Sequence, residues 1–172
     1  MNKLKTLKSL GFQIPWKLMS IGLYGLCEIP ALLTRDELLD YLDSLLEHMD
    51  EQTDNIVSLI CESDNYMKFD KLLKKFAEND ESDVEIQKRK WRVYLLKTLL
   101  DHISQDSLQG LLELMEFWMS MGNPKDSPHM FPEGDSAAVQ RYFTESTYHF
   151  LVHRNRDWLN KEISEIIALE HH

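Results

Sequence analysis

An excess of basic charge is the first thing this chain lacks. Its 19 Lys and Arg are outnumbered by 29 Asp and Glu, for a net charge of −10 over 172 residues. Phosphate binding needs a basic footprint, so the balance argues against nucleic acid as a partner. It argues equally against adsorption to an anionic membrane surface. A basic protein partner is favoured, because opposite charge steers and speeds encounter. Cysteine is scarce: Cys27 and Cys61 stand far apart and form no CxxC pair. No disulfide framework follows, and a reduced, cytoplasmic setting is the expectation. Both read as small buried hydrophobes. Nothing beside them would lower a thiol pKa, and Cys61 lies among Val57, Leu59 and Ile60.

Long hydrophobic runs are missing too. None reaches the ~20 apolar residues that span a bilayer. Lys3, Lys5 and Lys8 do precede an apolar stretch from Leu18 to Cys27. However, Pro15, Trp16 and Lys17 separate charge from stretch, and Leu26 stands where a lipoprotein site needs a small residue, so this is not read as a leader. No segment of length alternates apolar and polar residues as a half-buried strand does. No repeat is visible, and no cofactor fingerprint is present, so no cofactor is expected. The acidic stretch Glu78 to Asp83 lacks the central Gly and terminal Glu of a calcium loop.

What is present is helical rhythm, and the strongest case runs from Thr34 to Asp54. Asp36, Asp40, Asp43, Glu47, Asp50, Glu51 and Asp54 recur every three or four residues. At ~100° per residue they share one face. Leu38, Leu39, Leu42, Leu45, Leu46 and Met49 fill the opposite, core-facing side. Thr34 and Glu37 fit a capping box, which sets the start. Arg35 is the only cation in the segment. Like charges so spaced cost about 0.2–0.5 kcal/mol per pair. Such a face has cationic neighbours within the chain or faces a partner. The basic helix edge Lys68, Lys71, Lys74, Lys75 and the run Lys88, Arg89, Lys90, Arg92 are the internal neighbours available, and both readings stay open.

Residues up to Gln13 read as a loosely held basic arm. Further helices are expected from Ile14-Pro15-Trp16 to about Tyr24, from Asp54 to Cys61, and from about Asn65 to Phe76, with Asp64 as a possible cap. Others are expected from Val84 to Ile103, from Asp106 or Ser107 to Met121, over Ser136 to Tyr142, and from Thr144 onward. The last carries Tyr148, Leu151, Val152, Leu159, Ile163, Ile166 and Ile167 on its core face. The fold class is therefore all-α, seven or eight helices in one domain over residues 1–168, with unequal lengths that argue against a regular four-helix bundle. Leu169-Glu170-His171-His172 reads as an expression-tag remnant and is set aside.

Gly122 to Asp135 is a long segment rich in Pro and Gly, a length that is uncommon in a compact domain and often functional. It holds Asp126, Ser127, His129, Met130 and Phe131. Three polar residues within four positions of a loop rarely aim at one another in series, so a catalytic triad is not the reading. A turn with Asp126 bonded to its own backbone is the plain alternative. Glu145, His149, His153 and Asp157 have metal-like spacing, but each step of four drifts ~40° around a helix, so all four cannot converge. A solvated face is the expectation, and no metal is assigned.

The segments Phe12-Gln13-Ile14-Pro15-Trp16-Lys17, Trp118-Met119-Ser120-Met121-Gly122-Asn123-Pro124, Asp126-Ser127-Pro128-His129 and Tyr142-Phe143-Thr144-Glu145, with Trp158 before a charged last helix, resemble a bacterial family of unknown function. The resemblance covers most of the chain and brings no catalytic residues with it. Small acidic bacterial proteins of this kind are suspected to be immunity proteins of toxin systems. The resemblance makes Asp126, Ser127 and His129 the matching positions that matter for loop structure or binding. The leading expectation is a protein-binding module, an immunity-type inhibitor of a basic toxin or nuclease. Asp36, Asp40, Asp43, Glu47 and Asp50 would supply its charged contacts, with Asp126 and His129 beside Met130 and Phe131 as apolar anchors. The alternatives are an enzyme or small-ligand binder with a pocket under the 122–135 loop, and a structural or scaffolding subunit.

Overall fold

A computed structural model describes residues 2–46 and 53–171. Among them are nine helices and no strand, so the fold is all-α. The chain forms two compact units, Met1–Trp91 with Glu170–His172, and Arg92–Leu169. No helix is long and apolar enough to cross a membrane among the described residues.

The first unit opens with a correction. The expected basic arm is a helix, α1 (Lys3–Ser9), capped by the Asn2 side chain, with Leu4 and Leu7 fully buried. The lysines drew attention to charge, while the two leucines three apart share the inward face. α2 (Trp16–Tyr24) starts after Pro15 and stops at Gly25. Gly22 is a close approach: a Cβ there would lie 2.3 Å from Trp91. α3 (Arg35–Leu45) begins with the expected capping box, Thr34 and Glu37 each bonding the other's backbone N–H. It buries Leu38, Tyr41 and Leu42. The helix expected as far as Asp54 therefore ends earlier. Glu47, Asp50, Glu51 and Met49 lie outside the described residues.

α4 (Thr53–Cys61) buries Ile56 and Leu59, and α5 (Tyr66–Asn79), capped by Asn65 rather than Asp64, buries Phe69 and Leu73. Tyr66, expected on that core face, is 69 % exposed; its ring instead carries the Arg35 guanidinium 4.1 Å from its centroid. Both cysteines are exposed, which overturns the expectation of burial. Cys61 is two residues past Leu59, about 200° around the helix and so on its outer side. Cys27 sits at a tight turn with φ 52°, closed by paired backbone bonds between Leu26 and Ile29.

α6 (Val84–His102) supplies residues to both units, up to Trp91 in the first and beyond it in the second. In the second unit, α7 (Ser107–Ser120) is capped by Asp106 and buries Leu111, Leu114 and Trp118. Leu108, expected inside, is half exposed. α8 (Ser136–Tyr142) is short, and α9 (Glu145–Glu170) is the longest helix described. Its buried positions include Tyr148, Leu151, Asn155, Leu159, Glu162 and Ile166, spaced three or four apart. Asn155 and Glu162 were not legible as core because they are polar. Asn155 accepts a bond from the Trp118 indole N–H at 2.7 Å and donates to the Leu151 carbonyl at 2.8 Å. A buried amide is tolerated when its bonds are made.

Candidate functional site

The first candidate is the polar face of α3. Asp36, Asp40 and Asp43 are exposed, and no ion pair or side-chain hydrogen bond holds any of them among the described residues. Several cations of the first unit are engaged with other groups. Arg35 bonds Asp70 at 2.9 Å and stacks on Tyr66 and Phe69. Lys3 pairs with Glu37. Burial works to raise the Glu37 carboxyl, but bonds from Lys3 and Thr34 outweigh it and hold it below the ordinary range. Lys88 bridges Glu28 at 3.1 Å and Glu85 at 3.2 Å, and Lys68 pairs with Glu62.

Lys90 is fully buried, donating to the Gln13 carbonyl and the Gln87 side chain, both at 2.8 Å, and pairing with Glu170. Burial pushes its pKa down, and the Glu170 carboxylate opposes this. Glu170, in the tail read as a tag remnant, thus takes part in the fold of the first unit. It also accepts from the Gln13 backbone N–H at 3.1 Å. No ion pair joins these basic runs to Asp36, Asp40 or Asp43 among the described residues.

The second candidate is the 122–135 loop of the second unit. Gly122 has φ 75° and Asn123 φ 45°, a left-handed pair that stops α7 and turns the chain away. The Asp126-Ser127-Pro128 turn is closed by Ser127, whose N–H donates to the Pro124 carbonyl at 2.9 Å and whose hydroxyl accepts from the His129 N–H at 3.1 Å. Ser127 thus makes the bond expected of Asp126, which is exposed. No hydrogen bonds link Asp126, Ser127 and His129 side chains in series among the described residues. Met130 is half exposed. Phe131 does not stand free; it meets the His129 ring edge-on at 4.7 Å.

His129 itself is buried, at 8 % exposure. Its Nε2 lies 3.0 Å from the Tyr142 hydroxyl, on α8. Its Nδ1 is enclosed and has no hydrogen-bond partner among the described residues. Burial pushes the His129 pKa down to about 4 and that of Tyr142 up to about 12. Both rings are therefore neutral near pH 7. Tyr142 was expected only as core; nothing in the sequence ties it to a histidine thirteen positions earlier. A recess of about 680 Å³ opens beside the loop, with Lys125, Ser127, His129, Met130, Phe131 and Glu133 on its wall.

The metal-like quartet on α9 is exposed and splits into two pairs, His149 with Glu145 at 3.6 Å and His153 with Asp157 at 2.9 Å. No group that could hold a metal ion occurs among the described residues.

The model of one protein family, described as an uncharacterized protein conserved in bacteria (DUF2247), matches residues 4–163. Neither curated proteins nor solved structures match the chain.

Proposed function

We propose that the chain, which belongs to the uncharacterised bacterial family DUF2247, is a cytoplasmic protein-binding module for a basic partner. The finer form of the proposal is an immunity-type inhibitor of a basic toxin or nuclease. The observation that carries it is the solvent-facing set Asp36, Asp40 and Asp43, held by no cation among the described residues while neighbouring cations pair with other carboxylates. Repulsion between neighbours at this spacing costs the helix about 0.2–0.5 kcal/mol per pair. A basic surface would relieve it on docking, and the same charges would steer the encounter. Met130, exposed on the second unit, is a candidate apolar contact.

The test compares the native chain with the Asp36→Asn, Asp40→Asn, Asp43→Asn variant as baits in a bacterial lysate. A captured basic protein is then titrated against both. The expected result is at least tenfold weaker binding by the variant, with its melting temperature unchanged or slightly raised. Equal binding by native and variant baits would remove α3 as the interface.

A further inference from the structure

We infer that the exposed lysine face of α5 is a docking surface for a second copy of this chain, which presents its α3 aspartates to it. This contact rests on the reading of α3 as a docking face and gives that face a partner.

Spacing builds the lysine face. Lys68, Lys71 and Lys75 stand three and then four residues apart on α5. At ~100° per residue they lie within about 60° of one another, on the side away from the buried Phe69 and Leu73. All three are exposed. Lys71 and Lys75 have no ion-pair partner among the described residues. Lys68 holds Glu62 at 3.4 Å with its own side chain 63 % exposed, and exposed pairs of this kind contribute little. A recess of about 800 Å³ opens along this face, with Met67 and Leu72 beside the lysines.

The carboxylates on the same wall do not cancel these cations. Glu62 is the partner of Lys68, while Asp70 is held by Arg35 at 2.9 Å and by the Tyr24 hydroxyl at 2.7 Å. Glu78 lies past Lys75, outside the lysine span, and is offset by Lys74, which sits over the Tyr24 ring at 5.3 Å.

The occupant follows from register. Asp36, Asp40 and Asp43 are four and then three residues apart on α3, the lysine spacing in reverse order. They also span about 60° of their helix. With the two helices antiparallel and the same ~1.5 Å rise per residue, Asp36 meets Lys75, Asp40 meets Lys71 and Asp43 meets Lys68 together. Glu78 then falls opposite Leu33, before α3 begins, so no aspartate faces it. Within one copy no ion pair joins the two faces among the described residues. A second copy supplies the match. Each copy carries both faces, so a two-fold dimer makes the contact twice. The net charge of −10 opposes the approach of two copies, which keeps the association weak and dependent on this local match.

The test is sedimentation equilibrium of the full chain at concentrations on the order of 10 µM to 1 mM, a range that covers weak association. It is run in ~0.1 M salt, where charges farther apart than ~10 Å are screened and contact pairs persist. Two charge reversals are compared: Asp36→Lys, Asp40→Lys, Asp43→Lys on α3, and Lys68→Glu, Lys71→Glu, Lys75→Glu on α5. The native chain should self-associate reversibly, and each reversal alone should weaken this at least tenfold. An equimolar mixture of the two should recover it, because every facing pair is again opposite in charge. Circular dichroism checks that the helices are kept. If a reversal unfolds the chain, the milder Asp40→Asn and Lys71→Gln take its place, each expected to weaken association at least twofold. A native chain that stays monomeric throughout overturns the inference; if it still binds a captured basic protein through α3, the reading of α3 stands without it. Self-association untouched by either reversal, or a mixture that fails to recover it, overturns the α3–α5 contact. Recovery in the mixture with no basic protein captured upholds this contact and removes the foreign partner.

Discussion

His129 shows how one side chain links burial to pH. Its folded-state pKa is held down to about 4 by burial, whereas an unfolded histidine titrates near ~6.5. Between these values the unfolded chain binds the extra proton. Stability therefore rises with pH across this window, is complete above about 6.5, and is lost as pH falls toward 4. The full swing is on the order of 3 kcal/mol. Urea midpoints measured from pH 4.5 to 7.5 should fall steeply on the acid side, and His129→Leu should remove most of that slope. An unchanged slope would mean another group governs it. Asn155 is the second informative residue. Replacing it with Leu leaves the Trp118 indole N–H buried without its acceptor, which costs ~1–3 kcal/mol. A thermal melt of Asn155→Leu close to the native curve would contradict that account. Neither role is written in residue type. Histidine in a Pro-rich loop reads as exposed, and an asparagine among charged neighbours reads as surface.

At the scale of elements, capping and periodicity explain most of what forms. The α3 start was legible because Thr34 and Glu37 act within one turn. The α3 end was not, because the acidic and leucine pattern runs on past Leu45 without a stop signal. α1 was missed for the opposite reason: Leu4 and Leu7 alone make too short a pattern to outweigh the lysines around them. The crossing of α7 and α9 depends on Gly110. A Cβ there would meet Tyr148 at 2.4 Å and the Ser104 carbonyl at 2.8 Å, while the Tyr148 hydroxyl donates to that carbonyl at 2.9 Å. The ring cannot retreat without breaking its own bond. Gly110→Ala is therefore expected to destabilise by ~1–3 kcal/mol despite its better helix propensity. A chemical-denaturation midpoint at or above the native value would refute this packing argument.

Over the whole molecule, charge sets behaviour that no single residue carries. A net charge of −10 and an acidic face on α3 would give association with the proposed basic partner a long-range component. Its association rate should drop steeply between low and physiological ionic strength, because screening sets in within ~10 Å at 0.1 M salt. The neutralised α3 variant should show a shallower salt dependence in stopped-flow measurements. Parallel salt curves for native and variant would place the steering charges elsewhere. The folded state itself should respond less, since pairs such as Arg35–Asp70 and Lys88–Glu28 are partly shielded from solvent.

Composition and local pattern by themselves determined the all-α class, most helix positions, the capping box and the exposure of the α9 quartet. These are short-range properties, decided within a turn or two of helix. Tertiary structure alone decided that Asp36, Asp40 and Asp43 have no internal cation among the described residues. It also decided that Lys90 is buried against Glu170, that both cysteines face outward, and that Tyr142 reaches His129. Each of these depends on which faces of which helices meet. That choice is made by packing between segments distant in sequence, and residue identity does not encode it locally.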